Sequence, residues 1–206
     1  AQSVVLSQIT ARLTEAGELE CSETDIETNQ SAYDLSRRYS RSENHDTFIQ
    51  EYEKKADISI SELTVEGLNT AKACMKLTFT KAVDSGGEFL YICPTIVPFI
   101  KENPFTSQKR QLPVEFSFPN HYRIIVTLML PEGYAVEELP KSTRMTACDE
   151  GLACTLQVQH SGPMIQCLLD FNLSRVIFPA TEYTDLSAFY GFLTDLCNSQ
   201  IVIKKS

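Results

Sequence analysis

The sequence contains no tryptophan and three histidines, at positions 45, 121 and 160. It also lacks a Gly-x-Ser-x-Gly elbow, a His-Glu-x-x-His pair, a phosphate-binding glycine loop and a dinucleotide fingerprint. So little imidazole leaves few candidate general bases. His45 opens a helical stretch, His121 precedes a strand after Pro119-Asn120, and His160 begins a hairpin turn. All three read as surface turn residues. Adjacent carboxylates, Glu137-Glu138 and Asp149-Glu150, point to opposite faces of any strand, so neither pair can flank one glycosidic bond. No calcium loop is present. No cofactor and no metal is expected, and the residues name no catalytic centre.

Long apolar runs are missing too. The longest, such as IIVTLML at 124–130 and FLYIC at 89–93, are strand-length, well short of the roughly 20 residues that cross a bilayer. The opening AQSVVLSQIT goes straight into strand-like alternation, without the basic and apolar blocks of an export signal. That is expected of a domain excised from a longer chain, or of a mature end.

What is present is an ordinary globular composition: 206 residues, 43% hydrophobic and 22% charged. The length suits one large domain or two small ones. The net charge of −9 argues against nucleic acid as a partner, since phosphates require a concentrated basic surface. The basic clusters, Arg37-Arg38 with Arg41, Lys54-Lys55, Lys109-Arg110 and Lys204-Lys205, are short and scattered, and read as solvated surface charge.

Seven cysteines form an odd set, so they cannot all pair internally. No Cys-x-x-Cys occurs, and no Cys/His spacing fits zinc. Cys154 shares parity with Leu152, Leu156 and Val158; Cys167 shares it with Ile165, Leu169 and Phe171; Cys197 lies on the apolar stripe of a helix. These three read as small buried hydrophobes. Cys74 falls on the Lys76/Thr78 face and reads as more exposed. Cys148 and Cys154 flank Asp149–Ala153 and could approach across a hairpin.

Alternation dominates the chain, predicting strands at 4–13, 15–26, 58–68, 72–82, 87–93, 115–118, 122–130, 134–139, 141–147, about 152–159 and 164–173. Helices are predicted over 31–40 and 43–56, the second capped by Ser42 or Asn44. A C-terminal amphipathic helix over 183–199 carries Leu186, Phe189, Tyr190, Leu193, Leu196 and Cys197 at 3.6-residue spacing, with IVIKK as a closing strand. The fold class is therefore mainly β (α+β): antiparallel, sandwich-like sheets with two or three helices, the last followed by a final strand. Three prolines, Pro94, Pro98 and Pro104, divide a β-rich region with a helical insertion (1–99) from a C-terminal antiparallel β domain (100–206).

The stretch KENPFTSQKRQLPVEF (101–116) stands at that boundary. Asn103-Pro104 and Leu112-Pro113 hold the residues before each proline extended. Phe105 is expected to plug an apolar seam. Arg110 is expected to bond to nearby carbonyls or a carboxylate, with Glu115 as one possible partner. Asn103, Pro104, Phe105, Arg110, Pro113 and Glu115 are thus the candidates for a structural or interdomain loop.

This stretch, followed by PEGYAVEELPKS (131–142), resembles the C-terminal domain of unknown function in bacterial transglutaminase-like proteins. The matching residues are Asn103, Pro104, Phe105, Arg110, Pro113, Val114, Phe116, Leu130 to Tyr134 and Glu137 to Lys141. The tail 178–205 is similar to the family's proline–acidic–helix–strand ending. The likeness covers 100–206; residues 1–99 match in outline, notably LSRRYS and ISISELTVEGL. In such proteins a papain-like core with a Cys-His-Asp triad lies upstream, and nothing in this chain carries its motifs. The resemblance implies a non-catalytic accessory region that supports or caps that core, in the periplasm or cell envelope of a Gram-negative bacterium. Its partners would be the upstream domain of the same chain and a protein or peptide substrate. The alternative is a stand-alone β module that binds a glycan or a peptide.

Overall fold

The computed structural model describes residues 1–206. In chain order the strands and helices are β1 (Ser3–Leu13), β2 (Glu18–Thr28), α1 (Gln30–Arg41), α2 (His45–Ala56), β3 (Ser59–Glu66), β4 (Lys72–Ala82), β5 (Asp84–Gly86) and β6 (Phe89–Ile92). There follow β7 (Val114–Glu115), β8 (Asn120–Met129), β9 (Tyr134–Glu138), β10 (Thr143–Ala147), β11 (Leu152–Ser161), β12 (Met164–Leu173), β13 (Ile177–Phe178), α3 (Tyr183–Cys197) and β14 (Ile201–Lys205). The protein is mainly β, with antiparallel sheets, three helices and a closing strand, as the alternation predicts. No helix is long and apolar enough to cross a membrane.

Eight strands form the main sheet in the order β10-β11-β12-β8-β1-β2-β4-β3. All neighbours are antiparallel except β1 and β8, which run parallel from Ser3↔Asn120 to Arg12↔Met129. Residues 1–99 and 100–206 therefore meet within one sheet. A second sheet, β5-β6-β14-β9, also takes strands from both segments, and β7 pairs with β13.

Period-two patterning explains the burial. Ile9, Ala11 and Leu13 of β1 share a buried face with Leu19 and Cys21 of β2 and with Ala73, Met75, Leu77 and Phe79 of β4. The same face continues through Val126, Ile165, Cys167 and Leu169 to Cys154 and Leu156. Each buried Val, Leu, Ile, Met or Phe of this face contributes about 1.5–3 kcal/mol. The opposite face carries Gln8, Thr10, Arg12, Glu20 and Ser22, which alternate with the apolar set.

Helix α1 lies over β1, β2 and β4, and α3 lies over β10 and β11. Ser3 ties α1 down: its Oγ accepts from the backbone N–H groups of Gln30 and Ser31 at 3.0 and 3.3 Å, satisfying two donors that the first helical turn cannot use. Asn44 caps α2, accepting from Thr47 N at 2.9 Å. Asp57 ends that helix in the left-handed conformation.

Some boundaries differ from the predicted ones. The expected strand 115–118 shrinks to Val114–Glu115, because Phe116 turns into an aromatic cluster and Pro119 offers no ladder donor. The expected strand 87–93 shortens to Phe89–Ile92, since Gly87-Glu88 forms the turn by which Asp84–Gly86 pairs with β6. Helix α3 ends at Cys197, followed by Asn198 and Ser199 folded back on the last carbonyls.

Candidate functional site

A cleft of about 780 Å3 opens where α1 and the end of α2 face β8, β12 and α3. Its walls are aromatic. Phe99 stands edge-on to Tyr122 at 5.0 Å and tilts against Phe171 at 5.6 Å; Phe171 in turn meets Tyr190 at 6.2 Å. Its rim is basic. Arg37, Arg38 and Arg41 come from α1 and Lys55 from the last turn of α2. Residues 37, 38 and 41 share one side of a helix by the i, i+3/i+4 rule, and the α1–α2 hairpin brings Lys55 alongside.

Asn120 closes the inner end, where β8 begins beside Ser3 of β1. It is 3% exposed; its Nδ2 donates to Ser31 Oγ at 3.1 Å, and its Oδ1 has no donor. Burial pushes the Tyr122 phenol above its ordinary pKa, partly offset by the Asn120 amide.

Behind α1 the buried face of β2 changes from apolar to acidic. Glu23, Asp25 and Glu27 continue the parity of Leu19 and Cys21, and Asp25 and Glu27 are 6% and 7% exposed. Burial raises Glu23 to about 9, with the Asp25 charge and hydrogen bond adding to it. Asp25 is also raised by burial, against the Ser7 hydroxyl, Glu23 and Arg38. Glu27 rises to about 7 for the same reason, although Arg38 Nη2 sits 3.3 Å from it. Like charges in a dry setting disfavour one another's ionisation, so burial and the Asp25 charge favour the protonated form of Glu23. Tyr52 is pushed up by the same burial and by the same carboxylates.

The loop that begins at residue 101 runs from the foot of α2 to α3. Lys101 Nζ donates to Lys55 O at 3.0 Å. Asn103 Nδ2 donates to Ser187 O at 2.9 Å, while its Oδ1 accepts from Phe105 N at 2.9 Å. Ser187 Oγ closes the clamp on Phe105 O at 2.7 Å. Phe105 packs edge-on against Tyr190 at 4.9 Å and against Phe116 and Tyr183 at 6.1 and 6.3 Å, so it fills an apolar seam. Pro104, Arg110, Pro113 and Glu115 lie on the surface. Arg110 Nε donates to Leu112 O at 3.2 Å, and Glu115 makes no ion pair with it. The predicted residues thus divide into a half-buried clamp, Asn103 and Phe105, and a solvated remainder.

Residues 88–203, from the turn before β6 into β14, match the family described as a domain of unknown function with a solved structure, DUF3858. The chain belongs to this family. The matched DUF3858 region contains the loop clamp, α3 and three of the cleft's walls, while the basic rim comes from the residues before it. Among solved structures, the chain is similar to a putative protease from Parabacteroides distasonis, at 15% identity and a TM-score of 0.45. That likeness covers 56% of this chain and 23% of the other, so the chain spans less than a quarter of that protein's length. No curated protein matches the chain.

Within and before the DUF3858 region all seven cysteines are free thiols. Cys21, Cys154, Cys167 and Cys197 are buried, and burial pushes each up to about 12. Burial also raises Cys93 and Cys148. The histidines lie elsewhere: His45 Nδ1 is 3.0 Å from the Tyr39 hydroxyl, His121 Nε2 is 2.9 Å from Asp170 Oδ1, and His160 is on the surface.

Proposed function

We propose that this chain is the non-catalytic, accessory C-terminal region of a bacterial transglutaminase-like protein, where it supports or caps an upstream catalytic core. DUF3858 membership over 88–203 is the observation that carries the reading. The thiol chemistry supports it: a nucleophilic cysteine needs a depressed pKa and an adjacent base, whereas burial moves six thiols the other way. In such a protein the rigid clamp between Asn103, Phe105 and α3 would set the orientation of a neighbouring domain. We place the parent protein in the periplasm or envelope of a Gram-negative bacterium, with the upstream domain and a protein or peptide substrate as partners.

The reading frame that precedes Ala1 tests this directly. It is expected to encode a papain-like core with its Cys-His-Asp triad, and deletion of residues 1–206 is expected to impair that core's activity or solubility. A frame without such a core overturns the proposal. The aromatic cleft favours a second reading, a β module that binds a glycan or a peptide by itself; a glycan array silent across polysaccharides would remove its glycan form.

A further inference from the structure

The cleft behind α1 holds groups whose bonding capacity the protein leaves unused. Of the four cations at its rim, Arg37 lies 3.2 Å from Asp34 and Arg38 lies 3.3 Å from Glu27. Arg41 and Lys55 have no carboxylate within ion-pair distance. A chain with a net charge of −9 thus gathers four positive side chains at one opening against two carboxylates, both already engaged.

At the inner end, Asn120 is more than nine-tenths buried and its Oδ1 is unpartnered. A buried acceptor without a donor costs about 1–3 kcal/mol, and such groups in native proteins call for a reason. The rings of Phe99, Tyr122 and Phe171 line the same cleft as Asn120 and the basic rim.

A ligand that meets the rings and the basic rim has an apolar body and an anionic group. An extended peptide carries these on one backbone. An apolar side chain lies against the rings, and a carboxylate reaches Arg41 and Lys55. Free phosphate has no apolar body, and a neutral sugar leaves the cations unmatched. The volume of about 780 Å3 falls within the range of built ligand sites. We propose that this cleft binds a short acidic peptide segment, with an apolar side chain inward and a carboxylate at the Arg41–Lys55 rim. The site stands on its own geometry and holds whether or not a catalytic core precedes the chain.

Fluorescence anisotropy on the 206-residue protein tests it, with a fluorescein-labelled hexapeptide alternating glutamate and leucine as the probe. Matched glutamine–leucine and lysine–leucine hexapeptides are the controls. The glutamate probe is expected to bind saturably, at least about tenfold tighter than the glutamine one, and to weaken as salt is raised. The Arg41→Glu/Lys55→Glu variant is expected to lose about tenfold or more with its thermal midpoint unchanged, since both residues are exposed. Lys54→Glu, outside the cleft, is expected to bind as the parent does. Absence of saturable binding, equal binding of the glutamate and glutamine probes, or full retention in the double variant overturns the proposal. So does displacement of the probe by inorganic phosphate at equal concentration, which would mark an anion site without peptide recognition.

Discussion

Glu23 and Asp25 point the same way from β2, and the buried Oδ1 of Asp25 has no hydrogen-bond donor. A stability dependence on pH follows. Glu23 titrates near 9 in the folded protein against an ordinary 4.5, Glu27 near 7, and Asp25 is also raised. Between these values the folded state holds protons that the unfolded chain has released, so stability falls as pH rises. The row's contribution is fully present below the ordinary carboxyl range and is lost as pH climbs to about 9. Urea unfolding across that window is expected to show a declining midpoint. Glu23→Gln removes the titrating group and is expected to flatten the slope and raise stability at high pH; a slope equal to the parent's would refute a raised Glu23.

The Phe105 seam gives a second prediction. Phe105→Ala removes a ring held against Tyr190, Tyr183 and Phe116. For a half-buried phenylalanine the expected cost is about 2–3 kcal/mol, below the full core value. Arg110→Ala and Glu115→Ala should stay within about 0.5 kcal/mol, as both lie on the surface. Denaturant midpoints for the three variants check the ordering.

Glycine substitutions test the β3–β4 turn. Gly67 has φ +73°, and a Cβ there would stand 2.2 Å from Lys72 O, a backbone atom that cannot move aside. Gly17, with φ +78°, faces open space. Gly17→Ala is expected to cost about 1 kcal/mol for the left-handed backbone alone, and Gly67→Ala upward of about 2 kcal/mol. Equal thermal shifts for the two would show that the close approach at Gly67 is absent in solution.

Much of the fold was legible because its signals are local. Period-two alternation placed Lys72–Ala82 and the β11–β12 meander, and the stripe from Leu186 to Cys197 marked α3. The parallel pairing of β1 with β8 was not legible, since it joins residues more than a hundred positions apart and no local pattern encodes partner choice. The carboxylate row was missed because acidic residues read as solvent-facing; the available signal was the unbroken parity from Leu19 through Glu27. Arg37, Arg38, Arg41 and Lys55 read as scattered surface charge for a similar reason. Their convergence depends on how the α1–α2 hairpin sits against β8 and α3, a tertiary fact. Phe105 was legible because a lone aromatic between prolines in a polar loop needs an apolar partner.

Timed iodoacetamide labelling of the native protein at neutral pH, read cysteine by cysteine by mass spectrometry, tests the non-catalytic reading most directly. Cys21, Cys154, Cys167 and Cys197 should stay unmodified until the chain unfolds, and no other cysteine should outpace a free thiol. A single cysteine that reacts many times faster than free cysteine, and slows when a nearby histidine is replaced, would contradict the account.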